Sequence, residues 1–155
     1  MKIDQPRPRT AARVAAVQAL FQSEQGPENP ETVIDQFVRH RFAPGVYEDG
    51  LVPEPHAKLF GRIVRAAATG QERLDTLLAE ALPPEWPLAR LDPVLRALLR
   101  AAGAELAMPD GAPSKVVINE YLDVAHGFFD GEEPKMANGL LNNLARALRP
   151  KEFTP

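Results

Sequence analysis

The sequence predicts an all-α protein with about seven helices, organised as one domain or two small, tightly packed lobes. Three observations predict it. Alanine and leucine dominate while β-branched residues are sparse, apolar residues recur at helical spacing almost throughout, and no segment sustains the alternation of a half-buried strand. A chain of 155 residues can bury a real core without metal or disulfide staples.

The first helix is expected from about Arg9 to Gln25. Val14, Val17 and Phe21, with Leu20 beside them, form one apolar stripe. Arg9 and Arg13 lie a turn apart at its rim, where their stems cover the core edge and their guanidinium groups reach solvent. Gly26-Pro27 ends this helix. Asn29-Pro30-Glu31 starts the second: Asn29 caps, Pro30 takes the first helical position and Glu31 favours the positive end of the dipole. Its buried side holds Val33 or Ile34, Phe37 and Val38. From Phe42 to Pro55, prolines and glycines predict a surface loop.

A long helix is expected from about His56 to Leu82, with Leu59, Ile63, Ala66, Ala67, Leu74, Leu77, Leu78 and Ala81 inward. Gly70 either bends it or splits it in two. Pro83-Pro84 stops it and marks the expected junction between lobes, about 1–82 and 85–150. Asp92-Pro93 opens the next helix as cap and first residue, burying Leu95, Leu98, Leu99, Ala102 and Leu106. Pro109-Asp110-Gly111 is a turn. Another helix spans roughly Pro113 to Phe128, with Val117, Ile118, Tyr121, Leu122 and Ala125 inward. The last starts near Pro134 and ends before Pro150. Leu140, Leu141, Leu144 and Leu148 face its core, and Lys135, Asn138, Asn142 and Arg146 share another face.

Much chemistry is excluded. Without cysteine there are no disulfides, thiolate zinc sites, iron–sulfur clusters or cysteine nucleophile. His40, His56 and His126 show no metal-ligand spacing, and there is no phosphate-cradling loop and no nucleophile elbow. Glu132 and Glu133 are adjacent, so they do not face each other across a cleft as glycoside hydrolysis requires; they suit the positive end of the last helix instead. The expectation is therefore a protein that is not an enzyme, with no catalytic residues, no cofactor and no metal. No apolar run approaches the ~18–20 residues of a membrane span. The polar start, Met1 to Arg9, does not read as a signal peptide. A cytoplasmic protein with no membrane partner is expected.

The net charge of −3 hides an uneven distribution. Residues 1–23 sum to +3, through Lys2, Arg7, Arg9 and Arg13 against Asp4; residues 135–151 sum to +4, through Lys135, Arg146, Arg149 and Lys151. Both ends are basic and the middle is acidic. Polyanions respond to local potential, so a basic patch attracts them despite the overall sign; a solvated basic face is the plainer alternative.

Three segments then matter together. Residues 9–22 read Arg-Thr-Ala-Ala-Arg-Val-Ala-Ala-Val-Gln-Ala-Leu-Phe-Gln. Residues 94–100 read Val-Leu-Arg-Ala-Leu-Leu-Arg, followed by Glu105-Leu106. Residues 116–125 read Val-Val-Ile-Asn-Glu-Tyr-Leu-Asp-Val-Ala, followed by Lys135-Met136-Ala137-Asn138-Gly139-Leu140-Leu141. Their order and spacing, across nearly the whole chain, resemble the NusB transcription-antitermination family. The resemblance implies two small helical bundles set against each other. It also implies binding of boxA-type single-stranded RNA in ribosomal RNA transcripts together with NusE, a small-subunit ribosomal protein, within an RNA polymerase antitermination complex.

The RNA-contacting positions of the family fall on Arg9 and Arg13, with Arg7 nearby, and on Lys135, Met136 and Asn138; Glu132 falls where the family has an acid close to RNA. Arg100 is counted with this group, although on the residues alone it either faces RNA or pairs with an acid. The NusE side falls on Phe21, Gln25, Leu95 and Arg96. The physics agrees with such roles. Arginines pair with phosphates or stack on unpaired bases, and the Asn138 amide both donates and accepts. The arginines leading into helix one and the lysine–asparagine edge of the last helix would then form one RNA-gripping surface. Asn138-Gly139 has a second reading as a packing solution, since glycine permits close helix approach. Asn119-Glu120 reads as a structural hydrogen-bond bridge.

This sequence also departs from the family. Met136 stands where an aromatic is common, Leu95 where an acid is common, and Phe21 where tyrosine is frequent. Two other functions compete: an RNA-recognition domain like that attached to some ribosomal RNA cytosine methyltransferases, and a helix-turn-helix DNA binder. Glu120 and Asp123 argue against the latter, because they would repel groove phosphates.

Overall fold

Helix boundaries follow the capping residues. Asn29 Oδ1 accepts the Thr32 N–H at 3.0 Å, and α2 begins at Pro30 (Pro30–His40). Asp92 accepts the N–H groups of Val94 and Leu95 at 2.8 and 3.4 Å, with Pro93 opening α5 (Pro93–Ala107). In each case a side-chain oxygen satisfies donors that the first turn leaves without intrahelical partners. The computed structural model describes residues 8–40 and 54–153. Its other helices are α1 (Pro8–Gln25), α3 (Glu54–Thr69), α4 (Gln71–Ala81), α6 (Ser114–Phe128) and α7 (Glu133–Leu148), with 3₁₀ turns at Leu88–Arg90 and Pro150–Phe153. Most of the expected loop, residues 42–53, lies outside the described residues; its last two positions, 54 and 55, already belong to α3.

The long helix divides at Gly70, a residue that weakens a helix relative to alanine. Gly70 has φ −101° and ψ 19°. Its N–H still donates to the Ala66 carbonyl at 3.0 Å, and its carbonyl accepts the Leu74 N–H at 2.9 Å. The axis is thus interrupted without orphaning these backbone groups.

The chain forms two compact units, Met1–Arg65 and Ala66–Pro155, dividing inside α3. In the first, α1 packs on α2. Ala12, Ala16, Val17, Val33, Phe60, Ile63 and Val64 are fully buried, and the Phe37 and Phe60 rings stack at 5.5 Å. Arg65 donates to both Glu31 oxygens at 2.8 and 3.1 Å, tying α3 to α2; that hydrogen bonding holds the Glu31 carboxyl below its ordinary range. Val38, expected inward, is 37% exposed, because the α2 stripe closes at Phe37.

In the second unit α5 is central, touching α4, α6 and α7. It is apolar nearly all round, as a helix with neighbours on several sides must be. Its Gly103 is required by packing: a Cβ there would lie 2.6 Å from Leu74 Cδ1 and 3.4 Å from Leu144 Cδ2. Leu95, Leu98, Leu99, Leu106, Val117, Tyr121, Leu140, Leu141 and Leu144 fill this core. Leu122 and Leu148, expected inward, are only half-buried. Pro83-Pro84 does follow the end of α4. The junction expected there falls inside this unit, since α4 packs on α5 and α7.

A tertiary cap replaces a local one at the start of α6. Glu152 accepts the Ser114 N–H at 3.1 Å and the Ser114 hydroxyl at 2.7 Å. These bonds, with Arg149 beside them, lower the Glu152 pKa from 4.5. A carboxyl depressed in the folded state contributes stability that is present above its unfolded pKa and is lost as pH falls through the folded value. Melting curves between pH 7 and 3 should show this loss beginning near pH 4.5. In Glu152→Gln the acid-side decline should be shallower; an unchanged decline would contradict the role of this cap.

Candidate nucleic-acid interface

Helix α7 is two-faced. Met136, Ala137, Leu140, Leu141, Leu144 and Ala145 are buried, while Lys135, Asn138 and Gly139 are exposed and Asn142 is half-buried. The 3.6-residue repeat thus turns an ammonium and an amide outward near the positive end of the helix dipole. Asn142 Nδ2 donates to the Asn138 carbonyl and to Asn138 Oδ1, both at 2.9 Å, fixing the Asn138 side chain. Glu132 precedes the helix and is exposed. Met136 is 9% exposed, so it presents an edge rather than a free side chain. Further along, Arg146 lies over the Phe153 ring at 5.0 Å.

The arginines separate into different kinds. Arg9 is exposed on the first turn of α1, and Arg7 lies outside the described residues. Arg13 is 2% exposed, contrary to the expectation of a solvent-reaching guanidinium. Its position on α1, among the buried Ala12, Ala16 and Val17, turns it inward. Arg100, counted with the RNA group, is engaged by Asp75 instead: Nε and Nη2 each reach a carboxylate oxygen at 2.9 Å, and its side chain is 12% exposed. This fork-to-fork geometry occupies the edge that a phosphate would use.

On the expected partner side, Phe21 is half-buried and Gln25 exposed. Leu95 is fully buried on the inner face of α5, which removes it as a direct partner contact. Arg96 donates from Nη1 to the carbonyls of Leu88, Ala89 and Leu91 at 3.2, 3.4 and 3.1 Å, closing the 3₁₀ turn. It is a structural clamp. Asn119 is exposed and Glu120 half-buried with a polar partner.

Sequence reasoning passed over Trp86. It is the chain's one tryptophan, half-buried in a surface connection where three prolines surround it. An aromatic left at a proline-rich surface was the available signal. Among the described residues no group of three or more His, Asp or Glu is arranged to hold a metal, and no helix is long and apolar enough to cross a membrane.

Fold and surface together define an all-helical protein that turns Arg9 outward at the start of α1 and Lys135 and Asn138 outward near the start of α7. The family model for the NusB family matches residues 10–146. A transcription antitermination protein NusB from Granulibacter bethesdensis is 66% identical over 151 residues, covering 95% of this chain and 93% of the relative. Its counterpart from Gluconobacter oxydans is 55% identical over 142 residues, covering 90% and 88%. The solved T. maritima NusB matches with TM-score 0.77 at 27% identity, covering 96% of this chain and 97% of its own. A chain from a crystal structure of antitermination factors NusB and NusE in complex with dsRNA matches in fold, with TM-score 0.75 at 23% identity and coverage of 92% and 99%. The chain belongs to the NusB family of transcription antitermination factors.

Proposed function

We propose that this antitermination factor binds boxA-type single-stranded RNA of ribosomal RNA transcripts jointly with NusE, in the cytoplasm, as part of the antitermination complex on RNA polymerase. The observation that carries the reading is the exposed Lys135–Asn138 edge at the start of α7 in a protein whose net charge is −3. Cationic and amide groups turned outward near a helix N-terminus suit phosphate and base edges. Arg9, with Arg7 preceding it, supplies phosphate contacts at the start of α1. Glu132, Met136 and Asn138 contact RNA beside Lys135. NusE docks against Phe21 and Gln25 in the second half of α1. One structural relative is seen with NusE and double-stranded RNA, a precedent for that pair of partners.

The test is boxA RNA binding with and without NusE across a salt series. Affinity should rise with NusE and fall with salt, and Lys135→Ala should reduce the slope of log K against log salt by about one. Arg100→Ala should leave that slope unchanged while lowering stability by about 1–2 kcal/mol, since its bonds go to Asp75. Affinity indifferent to both NusE and salt overturns the proposal.

A further inference from the structure

The connection from α4 to α5 and the start of α7 border an open cleft of about 390 Å³, within the ~300–1,000 Å³ typical of ligand sites. Glu85 and Trp86 line it from the connection; Glu132, Lys135, Met136 and Gly139 line it from α7 and its lead-in. The Trp86 backbone is fixed, its N–H donating to the Pro83 carbonyl at 2.9 Å.

Gly139 is an independent signal. It is exposed within α7, where glycine weakens a helix relative to alanine. At Gly103 neighbouring leucines explain the missing side chain; at Gly139 a Cβ would meet nothing within 4 Å beyond its chain neighbours and the backbone of its own helix. Close helix packing therefore does not account for Gly139. What a methyl group there would obstruct is the cleft itself.

We propose that this cleft is a subsite for one unpaired RNA base, which stacks on Trp86 and lies against the bare backbone at Gly139 while Lys135 holds the neighbouring phosphate. The proposal rests on the RNA-binding reading above and adds the residues that receive the base. The lining chooses between base and phosphate. Glu85 and Glu132 repel a phosphate in the cleft but accept hydrogen bonds from the N–H groups of a base edge. Met136 adds apolar contact without an aromatic face, so the stacking surface is Trp86, and base–aromatic stacking tolerates any base.

The experiment uses the full chain and a single-stranded boxA oligoribonucleotide. Because Trp86 is the only tryptophan, its fluorescence reports on this cleft alone. Saturating oligonucleotide should quench it, and inorganic phosphate at matched ionic strength should not. Trp86→Ala should weaken binding about tenfold, with most of the affinity restored in Trp86→Phe. Gly139→Ala should raise Tm while weakening RNA binding about fivefold or more, two opposed changes that damage to the fold cannot produce. If Gly139→Ala keeps wild-type affinity and RNA leaves the fluorescence unchanged while Lys135→Ala still lowers the salt slope, the subsite is overturned and RNA binding stands. If the wild-type protein binds no RNA, both fall.

Discussion

Replacing Arg149 with alanine is expected to lower stability by about 3–5 kcal/mol, a fall of roughly 6–20 °C in Tm for a chain of this size. The reason lies in the end of α5. The last carbonyls of a helix have no intrahelical donors, and here one guanidinium supplies several of the missing ones. Arg149 Nε donates to the Leu106 carbonyl at 2.8 Å, and Nη2 to those of Glu105 and Met108 at 2.9 and 3.3 Å. Nη1 reaches the Ala112 carbonyl and, at 3.3 Å, Glu152. With its side chain 12% exposed, water cannot easily replace it. Removing Arg149 also loosens Glu152 and the cap it places on α6. Arg149→Lys should recover little, because a single ammonium cannot span carbonyls on several sides. Urea unfolding is the measurement, and a loss below about 1 kcal/mol would refute this account.

Glu105→Ala is expected to cost a similar amount, about 3–5 kcal/mol. Glu105 is 1% exposed, in the middle of an otherwise apolar face. It accepts the hydroxyl of Tyr121, itself fully buried, at 2.7 Å. Truncation leaves a cavity and strands a phenol in the core. Tyr121→Phe removes only the hydroxyl and should cost about 1–3 kcal/mol, the range for leaving a buried acceptor without its donor. If the two act as a pair, the double variant will lose less than the sum of the single losses by at least about 1 kcal/mol. Additive losses would show that each residue is held independently.

These side chains show what was legible in advance and what was not. The starts at Asn29-Pro30 and Asp92-Pro93 were readable, because a cap acts on N–H groups two or three residues away. The break at Gly70 was readable as an alternative because glycine is a weak helix former whatever surrounds it. The two faces of α7 followed from its periodicity. Leu95 was readable as core from its stripe, and its burial decides against the partner contact that the family resemblance implied. Glu105 lies on the inward stripe by its spacing from Leu98 and Ala102, but the Tyr121 hydroxyl that satisfies it stands 16 positions away and carried no local sign. Trp86 was visible as a residue but not as a site, because the cleft exists only where the α4–α5 connection meets α7.

By itself the sequence determined the helices, most of their inward-facing residues, the absence of cysteine chemistry and the family, all consequences of short-range periodicity, capping and ordered motifs. Only the tertiary structure decided the fate of each arginine. Arg9, Arg13, Arg96, Arg100 and Arg149 are chemically identical. Arg9 is exposed, Arg13 is buried, and Arg96 clamps a turn; Arg100 meets an aspartate 25 residues away, and Arg149 a carbonyl 44 residues away. A guanidinium on a long flexible stem goes to whatever acceptor the fold brings near it, and that acceptor is set by packing between distant segments rather than by neighbours in the chain.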